Sequence, residues 1–207
     1  MEKTVREPKQ ERSIEKKNKI IKAGYDLFSE VGYYNTNTAQ IAKKAGVSTG
    51  IVYGYFKDKR DILLSVLEIY LDEIVEPIMH LLSQLTCPIN YEQLVPEILS
   101  LTMRAHKEHS KIHEALHAMT PTDEAVNQKF IELEDELTLA VSNKLSLCGE
   151  KIENSREKVH LAINIIQSHS HECIYDEHCY IDYPVMRTIV EKTLIDLFKN
   201  GSDTISC

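Results

Sequence analysis

An all-α fold is predicted by three features of this 207-residue sequence. Apolar residues recur at three- and four-residue spacing nearly throughout, the period of a helix with one buried face. No stretch sustains the period-2 alternation and β-branched enrichment of strands. Asn, Ser, Asp, Gly and Pro fall at the ends of the periodic runs, where helices cap and stop. A chain that is 43% hydrophobic and 27% charged, with 7 Gly and 6 Pro, is composed like a globular protein, which excludes collagen-like, low-complexity and mostly unfolded classes.

Residues 1–12 read as a disordered arm. The first helix is expected to begin at Ser13, to carry Ile14, Ile20, Ile21, Leu27, Phe28 and Val31, and to stop at Gly32. A second, about two turns long, has Asn37 as N-cap, Gln40 three positions on to answer it and Gly46 at its end. Ser48 is placed to cap a third, with Val52 and Phe56 inward. Asp58 caps a long linking helix, 58–85, bearing Ile62, Leu63, Val66, Leu67, Tyr70, Ile74, Met79 and Leu82, with Pro77 as a kink point. Further helices are predicted near 91–106, 107–118, 121–148, 155–176 and 184–200. Their signals are proline in the first turn at Thr120-Pro121 and Tyr183-Pro184, Ser155 as a cap, and Gly149 and Gly201 just past long runs.

No apolar run approaches the ~18–20 residues of a membrane span, and the amino terminus lacks a secretory apolar segment, so a cytoplasmic location without a membrane partner is expected. Five cysteines, Cys87, Cys148, Cys173, Cys179 and Cys207, are an odd number in such a chain and are expected to be thiols. No CxxC pair, GxGxxG or GxxxxGK[ST] is present, which removes the usual motifs for zinc ribbons and nucleotide phosphate loops. Charge divides near Arg60: residues 1–60 hold 13 Lys and Arg against 7 Asp and Glu, a net +6, and the remainder carries −14. A basic front on an acidic body suits a nucleic-acid binder with a separate regulatory part.

Residues 38–56 read as two short helices joined by a tight Gly-containing turn, the layout of a helix-turn-helix whose second member enters the major groove. Small Ala42 permits close approach of the first helix, with Ile41 and Ala45 beside it, and Ser48 and Thr49 open the recognition helix. From Ala23 to Leu63 the resemblance becomes specific. Leu27-Phe28, Gly32-Tyr33, Ile41-Ala42, Ala45-Gly46-Val47-Ser48, Tyr53-x-Tyr55-Phe56 and Lys57-x-Lys59 resemble, in order and spacing, the DNA-binding domain of the tetracycline-repressor (TetR) family of bacterial regulators. The resemblance implies that Thr38, Tyr53, Tyr55 and Lys59 hold phosphates, and that Ala39, Thr49 and Gly50 face the bases, with Tyr53 able to touch a thymine methyl. Hydroxyls and an ammonium suit phosphate oxygens. A base-facing set so poor in donors points to apolar contact, water and DNA shape.

The resemblance also implies a TetR-like architecture: a disordered arm (1–12), a helix-turn-helix DNA-binding domain (13–60) and a helical effector-binding and dimerisation domain (61–207). The partners implied are double-stranded operator DNA, a second copy of the chain and a small, lipophilic effector, with no cofactor and no enzymatic activity. The last two helices pair with their copies in that family, and Ile163, Ile166, Ser170, Val190, Leu197 and Phe198 are the candidate interface. Tyr70, Ile74, Met103, His109, Ile112, His113 and Leu116 are the candidate ligand-binding residues, with Met119 and Phe130 nearby.

Two alternatives arise from the histidines. His106, His109, His113 and His117 step by three and four, within about 80° of arc on a continuous helix, and His169, His171 and His178 surround Cys173 and Cys179. Such groups can hold a metal or a haem iron, which would make a metal- or haem-responsive regulator, although the first helix of the set is expected to break near residues 107–111. HEALH, with His113, Glu114 and His117, matches the HExxH pattern of zinc hydrolases but lacks an identifiable third ligand.

Overall fold

In the computed structural model the described residues are 11–199, and they form nine α-helices and no strand. In chain order these are α1 (Glu11–Val31), α2 (Thr38–Ala45), α3 (Thr49–Tyr55), α4 (Lys59–Gln84), α5 (Tyr91–Glu108), α6 (Ser110–His117), α7 (Glu124–Leu147), α8 (Ser155–Tyr175) and α9 (Tyr183–Lys199). The helix α1 begins two residues before Ser13, so Glu11 and Arg12 are helical; the rest of the amino-terminal arm, Gly201 and Cys207 lie outside the described residues.

Most ends are built as the sequence predicts. Asn37 accepts from the Gln40 backbone N–H at 3.0 Å while the Gln40 side chain accepts from the Asn37 N–H at 2.8 Å, the reciprocal pair that closes two orphan donors. Gly46 takes the left-handed conformation that ends α2 (φ 68°). Asp58 accepts from the Asp61 N–H at 2.9 Å and caps α4. The break expected near 107–111 falls between α5 and α6, at His109.

Other ends differ. Ser48 precedes α3 but makes no side-chain cap bond, and Ser155 is the first residue of α8, not its cap, which is Asn154 in a left-handed conformation. The helix α7 starts after Asp123, not at Thr120-Pro121: Asp123 Oδ1 accepts from the Ala125 and Val126 N–H groups at 3.1 and 3.2 Å. At α9, Asp182 accepts from the Val185 N–H at 3.0 Å. Cys87 and Cys148 are not thiols but a disulfide, with Cα atoms 5.2 Å apart; they are 61 positions apart in sequence, which hides the pairing from any local reading. Cys173 and Cys179 are free.

The chain packs as two units, the first containing residues 11–72 and 111–128, the second 73–110 and 129–199. In the first, α1, α2 and α3 close around Ile20, Phe28, Ile41, Val52 and Phe56, all buried, while Ile14 and Val31 at the ends of α1 are exposed. Gly24 lets α1 approach α4: a β-carbon there would sit 2.7 Å from Ile62 Cγ2. Further along α4 in this unit, Ile62, Leu63, Val66, Leu67 and Tyr70 are fully buried, as are Ile112 and Leu116 of α6.

Buried Asp123 also accepts from two nitrogens of Arg60, Nε at 2.5 Å and Nη2 at 2.8 Å. Arg60 and the backbone donors hold its carboxyl below the usual carboxylate range. A group whose folded pKa is depressed stabilises above its unfolded value and loses that contribution as the pH falls through the folded one. Asp123→Ala is therefore expected to cost about 2 kcal/mol at neutral pH, through the lost cap and forked ion pair, and progressively less below about pH 4; thermal melts at pH 7 and pH 3 check both statements.

The second unit is formed by α5, α8 and α9 with α7 and the end of α4. One core cluster gathers Ile89, Tyr91, Leu94, Leu145 and Val159, and another Val95, Leu99, Ala162 and Leu194. The Tyr91 and Phe198 rings stack at 5.7 Å, and Arg187 ties α9 to α5 by donating to Pro96 O and Ser100 Oγ. No helix among the described residues is long and apolar enough to cross a membrane.

Candidate nucleic-acid interface

The surface of α2 and α3 is set by the turn between them. Ile41 and Ala42 are buried against α1, Val52 fills the angle beneath, and Ala39, Gln40, Lys43, Lys44, Gly50, Tyr53 and Gly54 are left exposed. Thr38, in the first turn of α2, and Tyr53, on α3, bring their hydroxyls to 3.0 Å of each other, and Tyr53 is 42% exposed. Each hydroxyl keeps spare hydrogen-bonding capacity, so the pair can receive one phosphate oxygen between them. Ala39 and Gly50 are exposed and Thr49 is half-buried beside them.

Two of the residues expected on phosphate have partners inside the chain. The Tyr55 hydroxyl meets Ser13 Oγ at 2.8 Å. Lys59 Nζ donates to Tyr33 O and Thr36 O, both at 2.7 Å, and lies 4.1 Å from the centre of the Tyr33 ring. Burial lowers the Lys59 pKa from its ordinary value. Two of its three donors thus fasten the α1–α2 loop, and the third is outside these two bonds.

The positive balance is also spent unevenly. Lys44 pairs with Glu30 at 2.7 Å and Asp26 at 3.7 Å, Lys19 with Glu15 at 2.8 Å, and Lys17 stands over the Phe56 ring. Lys16, Lys43 and Lys57 are exposed.

The candidate ligand residues are divided between the two units. Tyr70, Ile112, His113 and Leu116 are buried core of the first unit, with the Tyr70 hydroxyl hydrogen-bonded to His113 Nδ1. His113 of the HEALH segment is therefore engaged from inside, with the His117 ring 4.2 Å away. In the second unit, Ile74 and His109 line a cavity of about 280 Å³, with Arg104, His106 and Gln167, and His109 Nδ1 lies 3.5 Å from Glu73. Met103 is half-buried beside Arg187.

A second cavity there, about 110 Å³, is walled almost wholly by apolar side chains, among them Leu81, Leu94, Ile98, Val141 and Leu145. Ile163, Ile166 and Phe198, expected at a dimer interface, line it too; Val190 and Leu197 pack on the core and Ser170 is fully buried. The sequence pattern marked these positions as apolar but not what covers them. His106, His169 and His171 have pKa values lowered chiefly by burial, and the His106 and His171 rings meet edge-on at 5.5 Å.

Residues 20–66 match the family model described as bacterial regulatory proteins, tetR family. The HTH-type transcriptional regulator HbdR of Aromatoleum sp. (strain CIB) is 47% identical over 75 residues, 36% of this chain and 33% of that protein. The uncharacterized HTH-type transcriptional regulator YuxN of Bacillus subtilis (strain 168) is 26% identical over 190 residues, 91% of this chain and 65% of that one. The chain thus spans a third of the first relative and just under two-thirds of the second. Among solved structures, that of a candidate TetR-family transcriptional regulator from Syntrophomonas wolfei superposes with a TM-score of 0.68 at 23% identity, covering 93% of this chain and 98% of that one, which extends the shared fold over both units. The family-model match thus falls on the segment that holds the capped α2, the left-handed Gly46 and the exposed hydroxyl pair, and this segment is similar to the bacterial regulatory proteins of the tetR family.

Proposed function

We propose that the chain is a homodimeric, operator-binding transcriptional repressor, not an enzyme, released from DNA by a small lipophilic effector. Residues 13–60 serve as its DNA-binding domain and 61–207 as its effector-binding and dimerisation domain, and it works in the cytoplasm, where its DNA is. The observation that carries this reading is the Thr38–Tyr53 hydroxyl pair on the outer face of a capped helix-turn-helix. Thr38, Tyr53, Tyr55 and the remaining donor of Lys59 hold phosphates in this reading, and Ala39, Thr49 and Gly50 face base edges. One such helix reads only a few base pairs, whereas two copies ~34–36 Å apart read both half-sites of an operator.

The effector site is the apolar cavity of the second unit, where Leu94, Val141 and Ile163 offer a lipophilic group burial but almost no polar partner. A ligand that favours the conformation with unsuitably spaced recognition helices lowers DNA affinity by its differential binding, typically ~1–3 kcal/mol. The test is selection of source-genome fragments on the purified protein, followed by gel-shift titration of the enriched sequences. Enrichment of a short palindrome bound by a dimer is expected; binding that never exceeds that of bulk competitor would overturn the reading.

Dimerisation through α8 and α9 has different residues in view than the sequence pattern offered. Leu161 on α8 and Val185 and Ile189 on α9 are 49%, 54% and 60% exposed, large apolar side chains that a partner copy would cover. Ile189→Asp in both copies is expected to raise the dimer dissociation constant at least about tenfold, the cost of burying unpaired carboxylates, and to leave the monomer's melting temperature within about 1 °C. Sedimentation velocity across a micromolar dilution series measures it.

A further inference from the structure

The Cys87–Cys148 bond sits where it can act on the apolar cavity. Cys87 lies in the α4–α5 connection and Cys148 immediately after α7, and their Cα separation of 5.2 Å lies within the range a disulfide spans. Cys87 is exposed, so oxidants and small thiols in solvent reach the pair from that side. Inside, Cys148 packs against the cluster of Ile89, Tyr91, Leu94, Leu145 and Val159, four of which also wall the cavity. The bond therefore clamps a connecting segment and a helix end, Cys87 two residues from Ile89 and Cys148 three from Leu145, around one side of that space.

A structural staple would be expected in an oxidising compartment and as part of a framework. Here it stands beside free Cys173 and exposed, free Cys179. Resting on the DNA-binding reading above, the protein works where glutathione keeps accessible thiols reduced, and an accessible bond in that setting opens and closes. We infer that Cys87 and Cys148 are a reversible, peroxide-responsive thiol pair whose closure fixes one side of the apolar cavity and so changes its affinity for an apolar ligand.

The chemistry balances with a peroxide as oxidant. The Cys87 thiolate attacks one oxygen of hydrogen peroxide, the O–O bond breaks, and a sulfenic acid and hydroxide form. The Cys148 sulfur then attacks the Cys87 sulfur, the S–O bond breaks and water leaves; in sum two thiols and one peroxide give one disulfide and two waters. Two glutathione thiols reverse it by exchange, leaving oxidised glutathione.

The test uses the full chain, reduced or treated with one equivalent of hydrogen peroxide, then alkylated and digested. A single linked peptide pair containing Cys87 and Cys148, opened by millimolar reduced glutathione, is expected. So is a change of about fivefold or more in the affinity for the uncharged apolar dye N-phenyl-1-naphthylamine between the two states, a coupling of ordinary allosteric size. Cys87→Ser should show one dye affinity under both treatments. Linkage of other cysteines, a bond that glutathione leaves intact, or equal dye affinity in both states each overturns the proposal. Failure to select an operator would overturn the regulatory reading and leave the thiol map unchanged, so the two failures are told apart.

Discussion

A dimer carrying Thr38→Val and Tyr53→Phe in both copies is expected to bind its operator roughly 100-fold or more weakly than the wild type, with an unchanged melting temperature. Both substitutions keep the shape of the side chain and remove only the hydroxyl. The two oxygens face each other at 3.0 Å on an exposed surface, so neither is left as a buried orphan when its partner goes. Each hydroxyl contributes about 1 kcal/mol as a donor to phosphate, and four are lost per dimer. Because phosphate contacts position the protein without reading sequence, affinity for operator and for bulk DNA should fall together. Fluorescence anisotropy with both DNAs measures this. Retention of wild-type affinity, or a loss confined to the operator, would sink the assignment of these two residues to phosphate.

Lys59→Met should behave differently, losing stability before it loses DNA. Methionine keeps the apolar stem beside the Tyr33 ring and removes the ammonium that joins Tyr33 O and Thr36 O. Two charge-assisted bonds to loop carbonyls, half sheltered from water, are worth about 2–3 kcal/mol together, or roughly 5–10 °C of melting temperature for a chain of this size. The α1–α2 loop holds Asn37, whose cap starts α2, so loosening it also disorders the hydroxyl pair. Operator affinity, measured well below the melt, should fall about tenfold, less than in the double hydroxyl variant. If the melting temperature does not move, Lys59 is a phosphate ligand and not the fastening of the loop.

These two predictions mark what the sequence could disclose. The capping of α2 by Asn37 and Gln40, the stop at Gly46 and the start of α4 at Asp58 involve partners three to five residues apart, and such bonds are written in local spacing. The contacts of Lys59 with Tyr33 and Thr36, of Asp123 with Arg60 and of Cys87 with Cys148 cross 23 to 63 residues, and nothing in the spacing announces them. A lysine near a DNA-binding turn reads as a phosphate ligand until its carbonyl partners are seen. Ile163, Ile166 and Phe198 pose a related problem, since helical periodicity marks an apolar stripe without saying whether a cavity, a core or a second copy covers it.

The bareness of α3 has an evolutionary consequence. A β-carbon at Gly50 would meet only Ser48 Oγ, at 3.9 Å, and one at Gly54 would meet nothing within 4 Å. A β-carbon could be added at either place without a clash, so on the proposed reading, in which this helix faces DNA, single codon changes there alter the target site. Drift in what is regulated need not await any change in how the protein folds.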